Sequence, residues 1–174
     1  MNKYKLVEKA IKGDKKAFAQ LIEEEKVKLY RTAFLYTKDK DDSLDIVQDS
    51  IYKALISIKN LKEPNYFSSW LMRILINSSL DFIKKKKKVV TLDFEIIDEF
   101  PIGKPKTDYK LDLFEALDGL RERYKTIIIL KYYQDKTLKQ IAELLDLPEG
   151  TVKSNLHRAL QELRNLIGED CVNE

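Results

Sequence analysis

Lys153, Ser154, His157, Arg158 and Gln161 recur at steps of one, three and four, which gathers them on one side of a helix. All can donate hydrogen bonds, and Lys153 and Arg158 are fixed cations. Such a set suits base edges and phosphates of duplex DNA. Arg158 fits a bidentate guanine contact, which is worth about 1–3 kcal/mol of discrimination. Ser154 and His157 suit the groove floor, and Thr151 and Lys153 suit phosphate anchoring near a helix N-terminus. Asn155 could read adenine or touch a phosphate. The bland alternative is an ordinary helical hairpin with a solvated face.

Two further groups carry recognisable chemistry. Asn65, Tyr66, Phe67 and Trp70 mix an amide with rings, and Arg73, Asn77, Asp81 and Lys84 follow at helical steps. Rings stack on unpaired bases, amides read their edges and cations hold phosphates. Trp70 reads more readily as core, while Tyr66 and Phe67 suit either role. The other group is Asp42, Asp45, Gln48, Asp49 and Tyr52, an acidic and amide face suited to a basic protein partner. Taken alone it favours a solvated helix face with acids near the positive helix end. The run Lys84 to Lys88 fits a DNA-backbone clamp, a frayed helix end or a solubilising stretch.

Nothing points to catalysis. The only histidine, His157, belongs to the donor set above, and no phosphate loop, zinc motif or nucleophile–base pair is visible. No cofactor is implied. One cysteine, Cys171, permits no disulfide framework and no structural zinc site. No apolar run has membrane-span length and no signal peptide opens the chain, so the expected compartment is the cytosol (or a nucleus) with a reduced thiol.

These groups need helices to position them. The 174 residues hold only 5 Gly and 4 Pro, which disfavours turn-rich β structure. Helices are predicted over 3–12, 14–36, 42–60 and from Ser68 or Ser69 through Ile83. Asp14 is placed as an N-cap, and Leu44, Val47, Ile51, Leu55 and Ile58 as the apolar stripe of the third helix. Residues 60–68 read as a loop. Further helices are predicted over 111–119, 121–134, 137–145 and 148–167. Thr137 and Gln140 have capping-box spacing, Pro148 suits a first helical position, and Val152, Leu156, Ala159, Leu160 and Leu163 form a stripe. The last two helices therefore read as a helix-turn-helix. Residues 89–110, with Pro101, Gly103 and Pro105, read as a linker, although Val89, Val90, Leu92, Phe94, Ile96 and Ile97 could dock as a short strand or clip. The expected fold is all-α: two small helical domains, 1–88 and 111–174, joined by a flexible linker.

Charge is unevenly shared. Residues 1–90 carry 20 Lys/Arg against 12 Asp/Glu, and residues 111–174 carry 9 against 12. A net acidic second domain cannot hold DNA by bulk attraction, so a local face must do so.

In this order the groups resemble the extracytoplasmic-function sigma factors, the smallest group of the sigma-70 family. The segment from Asp42 to Tyr52 is similar to the family's D-x-x-D-x-V-Q-[DE] stretch, and Phe67 to Asn77 is similar to F-x-x-W-L-x-R-I-x-x-N. Asp135 to Ala142 and Pro148 to Ser154, with His157, Arg158 and Ala159 downstream, resemble its fourth region. The resemblance implies that Asp42, Asp45, Gln48, Asp49 and Tyr52 bind core RNA polymerase. It implies that Asn65, Tyr66, Phe67, Arg73, Asn77 and Lys84 read and melt the minus-ten element of promoter DNA. Thr151, Lys153, Ser154, Asn155, His157 and Arg158 would read the minus-thirty-five element. Asn155 departs from the arginine of many relatives. The resemblance also implies an envelope-stress regulon and a membrane-anchored anti-sigma factor as partner. The absence of a long N-terminal extension and of a third conserved domain fits this group. Two rival classes are a stand-alone helix-turn-helix regulator, against which the Asp45/Gln48/Asp49 face argues, and an adaptor that binds no DNA, against which the Lys153/His157/Arg158 face argues.

Overall fold

A computed structural model describes residues 2–93 and 116–167. The chain divides into two compact units, Met1–Thr91 and Leu92–Glu174, and the described residues are mostly helical, with no strand among them.

The first unit holds α1 (Lys3–Ile11), α2 (Lys15–Thr37), α3 (Lys40–Ser57) and α4 (Phe67–Asp93), with short 3-10 turns at Ile58–Asn60 and Pro64–Tyr66. Polar caps set these boundaries. Asn2 accepts from the Tyr4 amide at 3.2 Å, and Asp14 accepts from Lys16 at 2.9 Å and Ala17 at 3.1 Å. Asp39 accepts from Asp42 at 2.9 Å. Each satisfies amides that a helix start leaves without partners. Gly13 joins α1 to α2 at φ +97°, where a side chain would be strained.

The core face of α3 differs from the expected one. Leu44 and Leu55 stay 40% and 41% exposed, and Ser43, Ile46, Val47, Ser50 and Ala54 are buried. The buried serines answer their own hydroxyls: Ser50 Oγ donates to the Ile46 carbonyl at 2.6 Å, and Ser43 Oγ donates to the Asp39 carbonyl. A serine bonded back in this way packs much like alanine. Small side chains on this face let α3 lie close along α2.

The start of α4 also differs. No serine opens it; the helix follows directly from the 3-10 turn, and Ser68 Oγ donates instead to Glu25 Oε1 at 2.6 Å. Phe67, Leu71, Met72, Leu75 and Ile76 form its core side. At its far end α4 stays helical through Asp93, so Val89, Val90 and Leu92 lie in a helix, not a strand. The remainder of the expected linker, 94–110, lies outside the described residues, as do Phe94, Ile96, Ile97, residues 111–115 and Cys171.

In the second unit a helical stretch at 116–119 precedes α5 (Glu122–Ile128), a π turn (Ile129–Tyr133), α6 (Leu138–Leu145) and α7 (Glu149–Ile167). Thr137 and Gln140 form the expected reciprocal capping box, at 3.0 and 3.2 Å. Helix α7 begins one residue after Pro148, whose carbonyl accepts from Thr151 and Val152 at 2.9 and 3.1 Å. Leu117, Leu120, Tyr124, Ile128 and Ala159 make a core, and Leu156, Leu160 and Leu163 pack on it.

Asp146 closes α6 in the left-handed conformation, φ 56°. That backbone strains an L residue, and an acid there opposes the negative end of the helix dipole. Asp146→Gly should therefore stabilise this unit by about 0.5–1 kcal/mol. Urea denaturation followed by circular dichroism checks it; an unchanged or lower midpoint contradicts it.

Candidate nucleic-acid interface

Helix α7 carries the first surface. Val152 and Ala159 are fully buried, which fixes the rotation of the helix about its axis. That rotation leaves Lys153, Ser154, His157, Arg158 and Gln161 exposed together, with Thr151 half-buried beside them. Ser154 Oγ donates to the Thr151 carbonyl at 3.0 Å, so its hydroxyl already has one local partner.

Asn155 belongs elsewhere. It is 6% exposed, on the core side with Val152 and Ala159, and its Nδ2 is buried without a hydrogen-bond partner. The expectation that Asn155 reads adenine or touches a phosphate is therefore corrected. The signal was available in the spacing, since Asn155 stands three residues after Val152 and four before Ala159. An unsatisfied buried amide costs about 1–3 kcal/mol.

The second surface joins the Pro64–Tyr66 turn to one side of α4. Asn65 is exposed and Tyr66 is 60% exposed. Arg73, Asn77, Asp81 and Lys84 continue from them as an exposed row along the helix. Phe67 is not part of this surface. It is 1% exposed, and its ring packs at 6.0 Å from that of the half-buried Trp70. The assignment of Phe67 to base contact is thus corrected: the helix start turns it inward as an anchor and leaves Tyr66 outside.

Behind this segment lies a group that sequence patterning did not single out. Glu25 of α2 is 7% exposed, and its Oε1 accepts from Lys3 Nζ and Ser68 Oγ, both at 2.6 Å. Burial by itself would raise the Glu25 pKa. The hydrogen bonds from Lys3 and Ser68, with the charges of Lys3 and Lys28, outweigh it and hold the carboxyl below its ordinary value. The clue was an acid midway between Leu21 and Leu29 at four-residue steps, on the face that packs inward.

The third surface is the outer side of α3. Asp45, Gln48 and Tyr52 are exposed together, Tyr52 by 64%. Leu44, Leu55 and Ile56 are exposed on the same helix and extend the face with apolar area. Asp42 and Asp49 have intramolecular partners. Asp42 pairs with Lys86 of α4 at 2.6 Å, and this holds the Lys86 ammonium above its usual pKa. Asp49 pairs with Lys53 at 2.7 Å. Its partial burial opposes ionisation, but hydrogen bonds from Lys53 and Ser78 and the charges of Lys53 and Lys85 lower its pKa. Within the lysine run, Lys86 thus ties α4 to α3, whereas Lys84 lies on the Arg73–Asn77 row.

Each of the three surfaces offers donors, rings or apolar area for binding. Among the described residues no helix is long and apolar enough to cross a membrane.

Comparison with known proteins agrees with this layout. Residues 21–89 match the family described as Sigma-70 region 2, and residues 110–163 match Sigma-70, region 4. The chain is 45% identical over 143 residues to the RNA polymerase sigma factor SigV of Bacillus subtilis, covering 82% of this chain and 86% of that protein. It is 31% identical over 175 residues to the ECF RNA polymerase sigma factor SigW of the same organism, covering 92% and 94%. In fold it is similar to the sigma factor RpoE of Bartonella quintana, solved with the anti-sigma factor NepR, with a TM-score of 0.71 at 24% identity, covering 89% of this chain and 99% of that one.

Replacing Asn155 tests its placement. Asn155→Ala should leave DNA affinity within about twofold and hold or raise the stability of the second unit by up to about 1 kcal/mol, because an orphaned donor is removed. A tenfold loss of DNA binding in the folded variant would restore Asn155 to the interface.

Proposed function

The chain belongs to the sigma-70 family, in its extracytoplasmic-function group, and from that premise we propose which of its surfaces carries each part of the family's task. It is an RNA polymerase sigma factor: it binds core polymerase and directs promoter recognition and transcription initiation.

The exposed donor set of α7 takes the minus-thirty-five element as duplex. Lys153, with Thr151, anchors the backbone, Ser154 and His157 face the groove floor, and Arg158 makes the guanine contact. The observation that carries this reading is the buried Val152/Ala159 edge, because it leaves the donors one common direction. Asn65, Tyr66, Arg73, Asn77 and Lys84 take the minus-ten element once its bases are unpaired. A stack on Tyr66 is worth about 1–3 kcal/mol, comparable with the few kcal/mol that unstacking a base costs. Core polymerase docks on α3 through Asp45, Gln48 and Tyr52, with Asp42 and Asp49 at its edge. The chemistry of transcription belongs to the polymerase. An envelope-stress regulon, a cytoplasmic location and a membrane-anchored anti-sigma factor complete the reading; membership of this group supports them, as does the capture of a protein of this fold with an anti-sigma factor.

Run-off transcription with core polymerase and a promoter library tests the assignment. Initiation should be restricted to a small set of promoters. Arg158→Ala should flatten preference at one upstream position, whereas Lys153→Ala should weaken all sequences alike and lower the salt slope by about one unit. A uniform loss from Arg158→Ala, with base preferences intact, would make Arg158 a phosphate clamp.

Docking is tested by competition for core polymerase. The triple variant Asp45→Ala, Gln48→Ala, Tyr52→Ala should lose at least about tenfold in affinity, or about 1.4 kcal/mol, with Tyr52 contributing most. Normal competition by a folded triple variant removes α3 from the interface.

A further inference from the structure

Lys3, Glu25 and Ser68 are 22, 43 and 65 residues apart in their three pairings, yet they meet in one closed group. Lys3 Nζ and Ser68 Oγ each donate to Glu25 Oε1 at 2.6 Å, and Lys3 Nζ also donates to Ser68 Oγ at 3.0 Å. The group joins the first residue of α1, the middle of α2 and the second residue of α4.

Stability alone does not require it. The Lys3 side chain stays 45% exposed, and ion pairs with one partner in solvent contribute little to stability. What the charged group adds is direction, since donors from α1 and α4 must converge on one carboxylate oxygen of α2. The hydrogen bonds it makes keep Glu25 ionised, so this direction persists at neutral pH.

Its location gives that direction a use. Helix α1 packs against both short turns, Ile58–Asn60 and Pro64–Tyr66. Immediately after Tyr66 the backbone is held twice, by Phe67 in the core and by Ser68 on Glu25. The exposed Tyr66 ring therefore projects from a segment backed by α1 and fixed on its C-terminal side. Helix α1 precedes the region 2 match, which begins at residue 21.

We propose that Lys3, Glu25 and Ser68 are positioning residues for promoter opening: they hold the Asn65–Tyr66 segment in the pose that receives an unpaired base, with α1 as its backstop. The proposal rests on the reading of Tyr66 as a base platform.

The test uses holoenzyme reconstituted from core polymerase and the full chain. Five readouts are compared: thermal midpoint, competition for core, opening of a duplex promoter carrying a fluorescent base in the minus-ten element, transcription from that duplex, and transcription from a premelted copy. In the variant Lys3→Met, Glu25→Met the charges are replaced together by apolar side chains. It should keep its midpoint and core binding, yet open duplex promoter about tenfold more slowly, because small displacements of a positioned group have large kinetic effects. The premelted copy should restore its transcription. Ser68→Ala should show a smaller defect of the same kind, and it decides the matter if the double variant does not fold.

Tyr66→Ala separates the two layers of the reading. If it opens promoters slowly while the folded positioning variants open them at the normal rate, the proposal is overturned and the base-platform reading stands. If Tyr66→Ala opens promoters normally, the base-platform reading falls and the proposal falls with it. A defect in the positioning variants that premelting does not restore also overturns the proposal, since it would then concern general structure.

Discussion

The first unit depends on how α4 begins. Two adjacent residues, Tyr66 and Phe67, have opposite fates: one is 60% exposed and the other 1%. Helical geometry turns successive side chains by about 100°, so a buried anchor and an exposed ring can be neighbours. Burying Phe67 sets the rotation of the whole helix. That rotation exposes Arg73, Asn77 and Lys84 and turns Leu71, Leu75 and Ile76 inward. The polar group around Glu25 fixes the same helix start from the other side.

A second constraint is the close seam between α2 and α3. The buried side of α3 carries the small residues Ser43, Ser50 and Ala54, and Ser43 Oγ meets Thr37 Oγ1 of α2 at 2.7 Å. This choice has a consequence on the opposite side of α3. Once small residues face the core, Leu44 and Leu55 face solvent beside Gln48 and Tyr52. The outer face is then partly apolar, and that suits a protein partner better than an all-acidic face, which would be left as a solvated helix surface. The charges sort themselves too. Asp42 and Asp49 have cationic neighbours within the unit, while Asp45 is exposed on the outer side.

In the second unit the packing is stricter than the charge count suggests. Residues 111–174 carry 9 Lys/Arg against 12 Asp/Glu, so orientation must do what bulk charge cannot. Val152 and Ala159 supply that orientation. Asn155 shares their side of the helix, and its buried Nδ2 is left without a partner. A buried polar group of this kind weakens the core it sits in, and removing it would test how much of the stability of α7 is given up there.

Much was determined by local sequence. Caps at Asp14 and Thr137, the scarcity of Gly and Pro and the spacing of Val152, Leu156, Ala159 and Leu163 specify helices and a helix-turn-helix, because these signals act within one turn of the chain. The exposed donors of α7 and the Arg73–Asn77–Lys84 row follow from the same 3.6-residue period. The tertiary structure decided the rest. It turned α3 onto its serines instead of its leucines, because hydroxyls bonded to the preceding turn can be buried at little cost. It buried Phe67 and Asn155, residues whose chemistry fits an interface but whose position on the helix does not. It brought Lys3, Glu25 and Ser68 together across as many as 65 residues of chain. No local pattern encodes such a meeting; it exists only once α1, α2 and α4 have packed.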